Sequence, residues 1–124
     1  MPRVQVIRAF ADATKPQSAY EIHDKILAGG GKIDVVSVYR IIATLVEIGT
    51  VYYVGIADGY LPSHLEDATT ASVVFVDSDS GDAREFRIPS EIIDEVNRQG
   101  KAFGFEPSMI KVEILGTCTS VLSR

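Results

Sequence analysis

Three carboxylates, Asp77, Asp79 and Asp82, crowd the segment FVDSDSGDAREF, Phe75 to Phe86. Carboxylates spaced between Ser and Gly suggest a calcium loop, which places oxygen donors at positions 1, 3 and 5, Gly at 6 and a bidentate Glu at 12. Counted from Asp77, position 5 is Gly81, position 6 is Asp82 and position 12 is Ile88. The closing carboxylate is missing and the Gly is displaced, so calcium chemistry is disfavoured. Asp, Ser and Gly each favour turns for separate backbone reasons, and the segment reads more simply as a turn between two strands.

The remaining reactive side chains are few. Two histidines, His23 and His64, and one cysteine, Cys118, form no Ser/His/Asp or H-E-x-x-H arrangement, which makes an enzyme the weakest class. Gly29 to Gly31 follow a helical segment and do not open one after a strand, so they are not a phosphate cradle. His23 lies beside the core face of a helix and reads as structural. Cys118 has no partner for an intramolecular disulfide and no neighbouring cation to activate it; it reads as a small buried residue.

Around these residues the first half of the chain reads as helical. Val4, Ile7, Phe10 and Ala11 recur at helical spacing over about residues 3–13. SAYE is a capping box from Ser18 to Glu21 and opens a second helix burying Ala19, Ile22, Ile26 and Leu27; Gly29 to Gly31 end it. Asp34 caps a third helix with Val38, Ile41, Leu45 and Ile48 along one face, widened by Ile42, and with Ser37, Arg40, Thr44 and Glu47 opposite. Gly49 stops it. TVYYVGIADGYLP then carries ADG, a type I′ hairpin signal between β-rich segments. Three helices and a hairpin compose a winged helix-turn-helix over residues 1–62. Such a helix fits the major groove of double-stranded DNA. Ser37, Tyr39, Arg40 and Thr44 are the residue types that contact phosphates and base edges there.

The second half, residues 63–124, mixes strands with one helix. SVVFVD and AREFRI flank the acidic turn; PSEIIDEVNRQGKAFGF reads as a helix with Ile92, Ile93 and Val96 apolar; IKVEILG alternates Ile110, Val112 and Ile114 against Lys111 and Glu113. So narrow a sheet buries little apolar area alone, and completing it across a homodimer would solve that. The fold class is therefore α+β, a winged helix-turn-helix followed by a small α/β dimerisation domain.

Charge divides at the same point. The first half holds six Lys/Arg and six Asp/Glu; the second holds six against eleven and carries the whole net charge of −5. A neutral half with its bases on one face can approach phosphate, whereas a uniformly acidic domain would be repelled. The absence of a Lys/Arg cluster points to modest intrinsic affinity. No apolar run reaches the ~20 residues of a membrane span, and MPRVQVIRAF lacks a signal-peptide core, so a cytoplasmic location without membrane contact is expected.

SVYRIIATLVEIGTVYYV resembles the recognition-helix signature of the ferric-uptake-regulator (Fur) family, T-V-Y-R-x-L-x-x-L-x-x-x-G-L-V, with Ser37 for the Thr and Val38, Tyr39, Arg40, Leu45, Gly49 and Val51 matching. SAYEIHDKI, GDAREF and GFEPSMIKVEILGTC resemble further segments in order, and GYLPSHLEDATTASVVFV is most similar to the zinc-uptake branch. The resemblance implies a metal-regulated, homodimeric transcriptional repressor that contacts DNA through Ser37, Tyr39 and Arg40. It also implies a structural zinc on two C-x-x-C pairs, where this chain has Asp77 and Ser80, then Cys118 and Val121. One thiolate of four remains, and carboxylate or hydroxyl is a poor substitute for soft donors. At the family's sensory site Ser63 stands for a Cys and Tyr52 for a frequent His, leaving Glu85 and His64 as weak metal candidates. No cofactor is expected, with zinc or another divalent ion as the alternative. A non-DNA-binding interaction module, pairing with another protein or a metal-binding relative, is the rival to a DNA-binding regulator.

Overall fold

The computed structural model describes residues 2–63 and 71–118. Three helices come first: α1 (Pro2–Phe10), α2 (Ala19–Ala28) and α3 (Val35–Glu47). An antiparallel hairpin, β1 (Val51–Val54) and β2 (Gly59–Pro62), follows. Next come β3 (Ala71–Asp77), β4 (Ala83–Arg87), α4 (Ser90–Ala102) and β5 (Ile110–Gly116). The three later strands form one sheet in the order β4-β3-β5, with β3 antiparallel to β4 and parallel to β5. The mixture of helices and strands is that of an α+β protein. No helix among the described residues is long and apolar enough to cross a membrane.

Local chemistry sets the helix ends. Ser18 Oγ accepts from Glu21 N at 3.1 Å and Glu21 Oε1 accepts from Ser18 N at 2.9 Å, the reciprocal capping box at the start of α2. Asp34 Oδ1 accepts from Ser37 N at 3.0 Å and caps α3. Gly49, at φ 81°, ends α3 in the left-handed region that glycine enters freely.

A first apolar cluster joins Val6, Phe10, Ile22, Ile26, Val38, Ile42, Leu45 and Val51. Two helices present a different stripe from the one their periodicity suggests. On α1 the buried residues are Val6, Ala9 and Phe10, while Val4 and Ile7 are exposed. On α3 they are Val38, Ile42 and Leu45, with Ile41 half-buried and Ile48 exposed. On α2, Leu27 is also exposed. Apolar residues on both sides of each stripe leave the choice to tertiary packing.

A second cluster joins the hairpin to the sheet: Tyr52, Val54 and Leu61 pack with Val74 and Val76. Two features of the hairpin differ from a two-residue I′ turn. The connection is a short 3-10 turn, Gly55–Ala57, and only Asp58 has positive φ, at 49°. Gly59 matters for a different reason: the segment before α2 pairs with β2, Gln17 N donating to Tyr60 O at 2.9 Å and Tyr60 N to Gln17 O at 2.8 Å. A Cβ on Gly59 would sit 2.9 Å from the Pro16 backbone.

The sheet leaves apolar residues uncovered on the side opposite the hairpin. On β5 Ile110 and Glu113 are half-buried, Glu113 toward the hairpin, whereas Val112 and Ile114 are exposed. Phe75 and Phe86 stack 5.5 Å apart and are likewise exposed. No residue of α4 is buried, and Ile92 and Val96 are exposed. Sequence alternation correctly separates the two faces of β5, but the polar one faces the neighbouring unit.

Candidate nucleic-acid interface

The outward face of α3 carries Val36, Tyr39, Arg40, Ala43 and Glu47. Of the four residues expected to contact nucleic acid, the structure separates two pairs. Tyr39 and Arg40 are exposed, and Arg40 forms no ion pair among the described residues. Ser37 and Thr44 are half-buried at the edge of the apolar stripe. The Ser37 side chain and N–H both bond Asp34, holding its carboxyl below the ordinary range, with Arg40 adding a smaller attraction. Thr44 Oγ1 donates to Arg40 O at 3.2 Å, a hydroxyl turned back on its own helix. Tyr39 and Arg40 are therefore the side chains of this set that project outward.

Tyr20, not singled out in the sequence, joins them. It stands on α2 away from the stripe formed by Ala19, Ile22 and Ile26, is exposed, and meets Tyr39 edge-to-face with ring centroids 6.0 Å apart. Its position directly after the buried Ala19 of the capping box was the available signal. On the hairpin, the exposed Tyr53 donates its hydroxyl to Asp58 Oδ1 at 2.6 Å and lies 5.1 Å from the ring of Tyr60. The bond to Asp58, foremost, pushes the phenol above its ordinary range.

The positions at which the resemblance implies metal have other partners here. Asp77 accepts from Asp79 N at 2.9 Å and from Ser80 Oγ at 3.0 Å, and its carboxylate is also bonded by the Cys118 backbone. These bonds, led by the Asp79 N–H, hold its carboxyl below the ordinary range. Ser80 Oγ in turn accepts from Asp82 N at 3.1 Å, and Gly81 turns the chain at φ 82°. Ser78 N donates to Gly116 O at 2.7 Å, docking the turn on the end of β5. Cys118 is exposed, contrary to the buried site expected for it. Val121 and His64 lie outside the described residues. A carboxylate already accepting several hydrogen bonds, a hydroxyl and one exposed thiol differ from the four thiolates that the resemblance implies.

Of the second constellation, Ser63, Tyr52 and Glu85 lie together, while His64 is outside the described residues. Ser63 Oγ donates to Glu85 Oε1 at 3.2 Å, beside the largely buried Tyr52. Burial first, and the Glu85 charge second, push the Tyr52 hydroxyl above its ordinary range. Lys111 Nζ sits 4.8 Å from the Tyr52 ring centroid and donates to Ser72 Oγ at 3.1 Å. A cleft of about 510 Å³ opens beside these residues, between Thr14, Leu61 and Asp82. The cluster is one carboxylate hydrogen-bonded to a serine, beside a buried tyrosine. Among the described residues no group of three or more His, Cys, Asp or Glu is arranged to hold a metal.

No protein-family model and no curated protein matches the sequence. Solved structures do match the fold. Holo XcZur superposes with a TM-score of 0.84 at 24% identity, covering 99% of this chain and 85% of that one. A zinc uptake regulator complexed with zinc and DNA gives 0.85 at 24%, covering 98% and 81%. The Vibrio cholerae ferric uptake regulator gives 0.65 at 19%, covering 95% and 89%. The chain thus has the fold of the Zur and Fur regulators and superposes better on these two zinc uptake regulators than on the ferric one.

Proposed function

We propose that the chain is a dimeric, DNA-binding transcription regulator of Fur type that works without the structural zinc or metal sensing of that family. Residues 1–62 would be the winged helix-turn-helix, with α3 in the major groove and the β1–β2 hairpin as the wing. Residues 63–124 would be the dimerisation domain. The observation that carries the reading is the exposed Tyr39–Arg40 pair on α3, braced by Tyr20 and unpaired with acid among the described residues. A structure of the same fold, a zinc uptake regulator, is complexed with DNA. The uncovered apolar face of the sheet, with Phe75, Phe86, Val112 and Ile114 exposed, supports a second copy as its cover. The donor chemistry at Asp77, Ser80 and Cys118 supports independence from zinc. No enzymatic role is proposed, and the setting is cytoplasmic.

One observation favours the interaction module instead. Arg40 is the single Lys or Arg on α3, a weak electrostatic footprint for DNA. Selection from a random-site duplex library, with chelator present, decides between the readings. Salt-dependent enrichment that Arg40→Ala abolishes is the expected result. No enrichment, or enrichment indifferent to Arg40→Ala, would favour the interaction module.

A further inference from the structure

We propose that Glu113 is the residue that positions the wing: its carboxylate straps the hairpin turn to the dimerisation sheet. The proposal rests on the DNA-binding reading for its consequence, though not for its geometry. Glu113 lies on β5, opposite Val74 of β3. Its two oxygens each take one backbone N–H from the 3-10 turn: Oε2 from Gly55 at 3.0 Å and Oε1 from Ile56 at 2.8 Å. Bonds from backbone N–H groups to an ionised carboxylate are charge-assisted and stronger than neutral ones.

The strap has an apolar anchor beside it. Val54, the residue before the turn, is fully buried and packs in the cluster that holds Val74 and Val76. Val54 fixes where the end of β1 sits; Glu113 fixes how the turn beyond it is oriented. The approach is close, since a Cβ on Gly55 would lie 3.3 Å from Glu113 Oε1. The half-buried carboxylate faces the hairpin turn. Its effect on DNA would pass through the hairpin, which makes it a positioning residue. In this chain a direct carboxylate bond supplies the rigid link between wing and sheet.

The test uses the full-length protein and two variants, Glu113→Ala and Glu113→Gln. Amide hydrogen exchange followed by NMR reads the strap directly. Gly55 and Ile56 should be protected in the parent chain and lose about tenfold in protection in Glu113→Ala. Glu113→Gln, whose single carbonyl oxygen accepts from one N–H, should retain protection at one of the two amides. This variant carries the test if Glu113→Ala does not fold. On a duplex selected with the parent chain, Glu113→Ala should bind about tenfold more weakly with unchanged oligomeric state. Unchanged exchange at both amides in both variants would overturn the strap. Loss of protection with undiminished DNA affinity would overturn its role in positioning the wing. If the parent chain binds no duplex while protection still depends on Glu113, the regulator reading falls and the strap stands.

Discussion

The Ser80 hydroxyl donates to Asp77 Oδ2 at 3.0 Å, joining the two residues that stand where the family resemblance implies the first thiolate pair. The bond lets the turn keep its shape by hydrogen bonding. Asp77 bonds the Asp79 N–H, Ser80 and the backbone of Cys118, so one side chain ties the turn to the segment after β5.

Removing that carboxylate should loosen the sheet. Asp77→Ala is expected to lower the thermal midpoint, and Asp77→Asn to lower it less. The pH dependence has a fixed sign. The folded-state pKa of Asp77 lies below its ordinary 3.8, so its stabilisation is fully present above that value. It declines as the pH falls through 3.8 and is gone below the folded-state pKa. Thermal melts of parent and Asp77→Ala from neutral to acid pH should therefore converge at the acid end; a constant gap would contradict the assignment.

Zinc should be dispensable. Protein purified without added metal is expected to hold substoichiometric zinc by elemental analysis. Excess chelator should leave its melting curve and its DNA affinity unchanged. Stoichiometric zinc that resists dialysis would contradict this, because structural zinc held by four thiolates contributes folding free energy outright.

Arg40→Ala should weaken DNA binding by about 1–3 kcal/mol if the guanidinium forks onto a base, and should reduce the salt slope by about 1 if it meets phosphate. Thr44→Ala should change affinity little, since its hydroxyl is committed to Arg40 O. Fluorescence anisotropy at several salt concentrations separates these outcomes. An effect at Thr44 equal to that at Arg40 would mean the helix meets DNA along a different face.

If the uncovered sheet face is covered by a second copy, a charge placed in it should disrupt that association. Ile114→Arg is expected to sediment as a monomer at concentrations where the parent chain is dimeric, with helix content unchanged. Unchanged association would place the dimer contact elsewhere.

The helical core should be sensitive to cavities. Phe10 is 2% exposed and belongs to the cluster with Ile22 and Leu45. Phe10→Ala is expected to cost about 3–5 kcal/mol in urea unfolding. Ile48→Ala, at an exposed position, should cost far less.

Local signals were readable because their causes are local. The Ser18–Glu21 capping box, the Asp34 cap and the Gly49 stop depend on residues within a few positions of one another, and each sits where the sequence places it. The facing of elements was not readable. On α1, Val4, Val6 and Ile7 are all apolar, and only the simultaneous packing of α1 on α2 and α3 selects Val6. On β5, alternation defines two faces but not which one meets the hairpin. That face is the one where Val74 and Val76 pack on the hairpin and where Glu113 meets backbone N–H groups some 57 residues away, contacts remote in sequence. The exposed site of Cys118 has the same origin, since burial depends on what neighbouring elements cover. Within the candidate interface, Tyr39 and Arg40 were visible from composition and spacing. The inward bonds of Ser37 and Thr44, and the contribution of Tyr20, required three dimensions.

The parallel pairing of β3 with β5 also sets an order of manufacture. Ala71 pairs with Ile110, so the central strand must wait for the β4 hairpin and α4 to emerge before its second neighbour exists. A helical head can form on the ribosome well before that, as domains generally do from the N-terminus. β5 then performs two tasks at once: it completes the β4-β3-β5 sheet and delivers Glu113 to the hairpin turn. A nascent chain stopped short of β5 would therefore hold the hairpin by its apolar contacts with β3 alone, and the turn gains its carboxylate strap only once β5 is made.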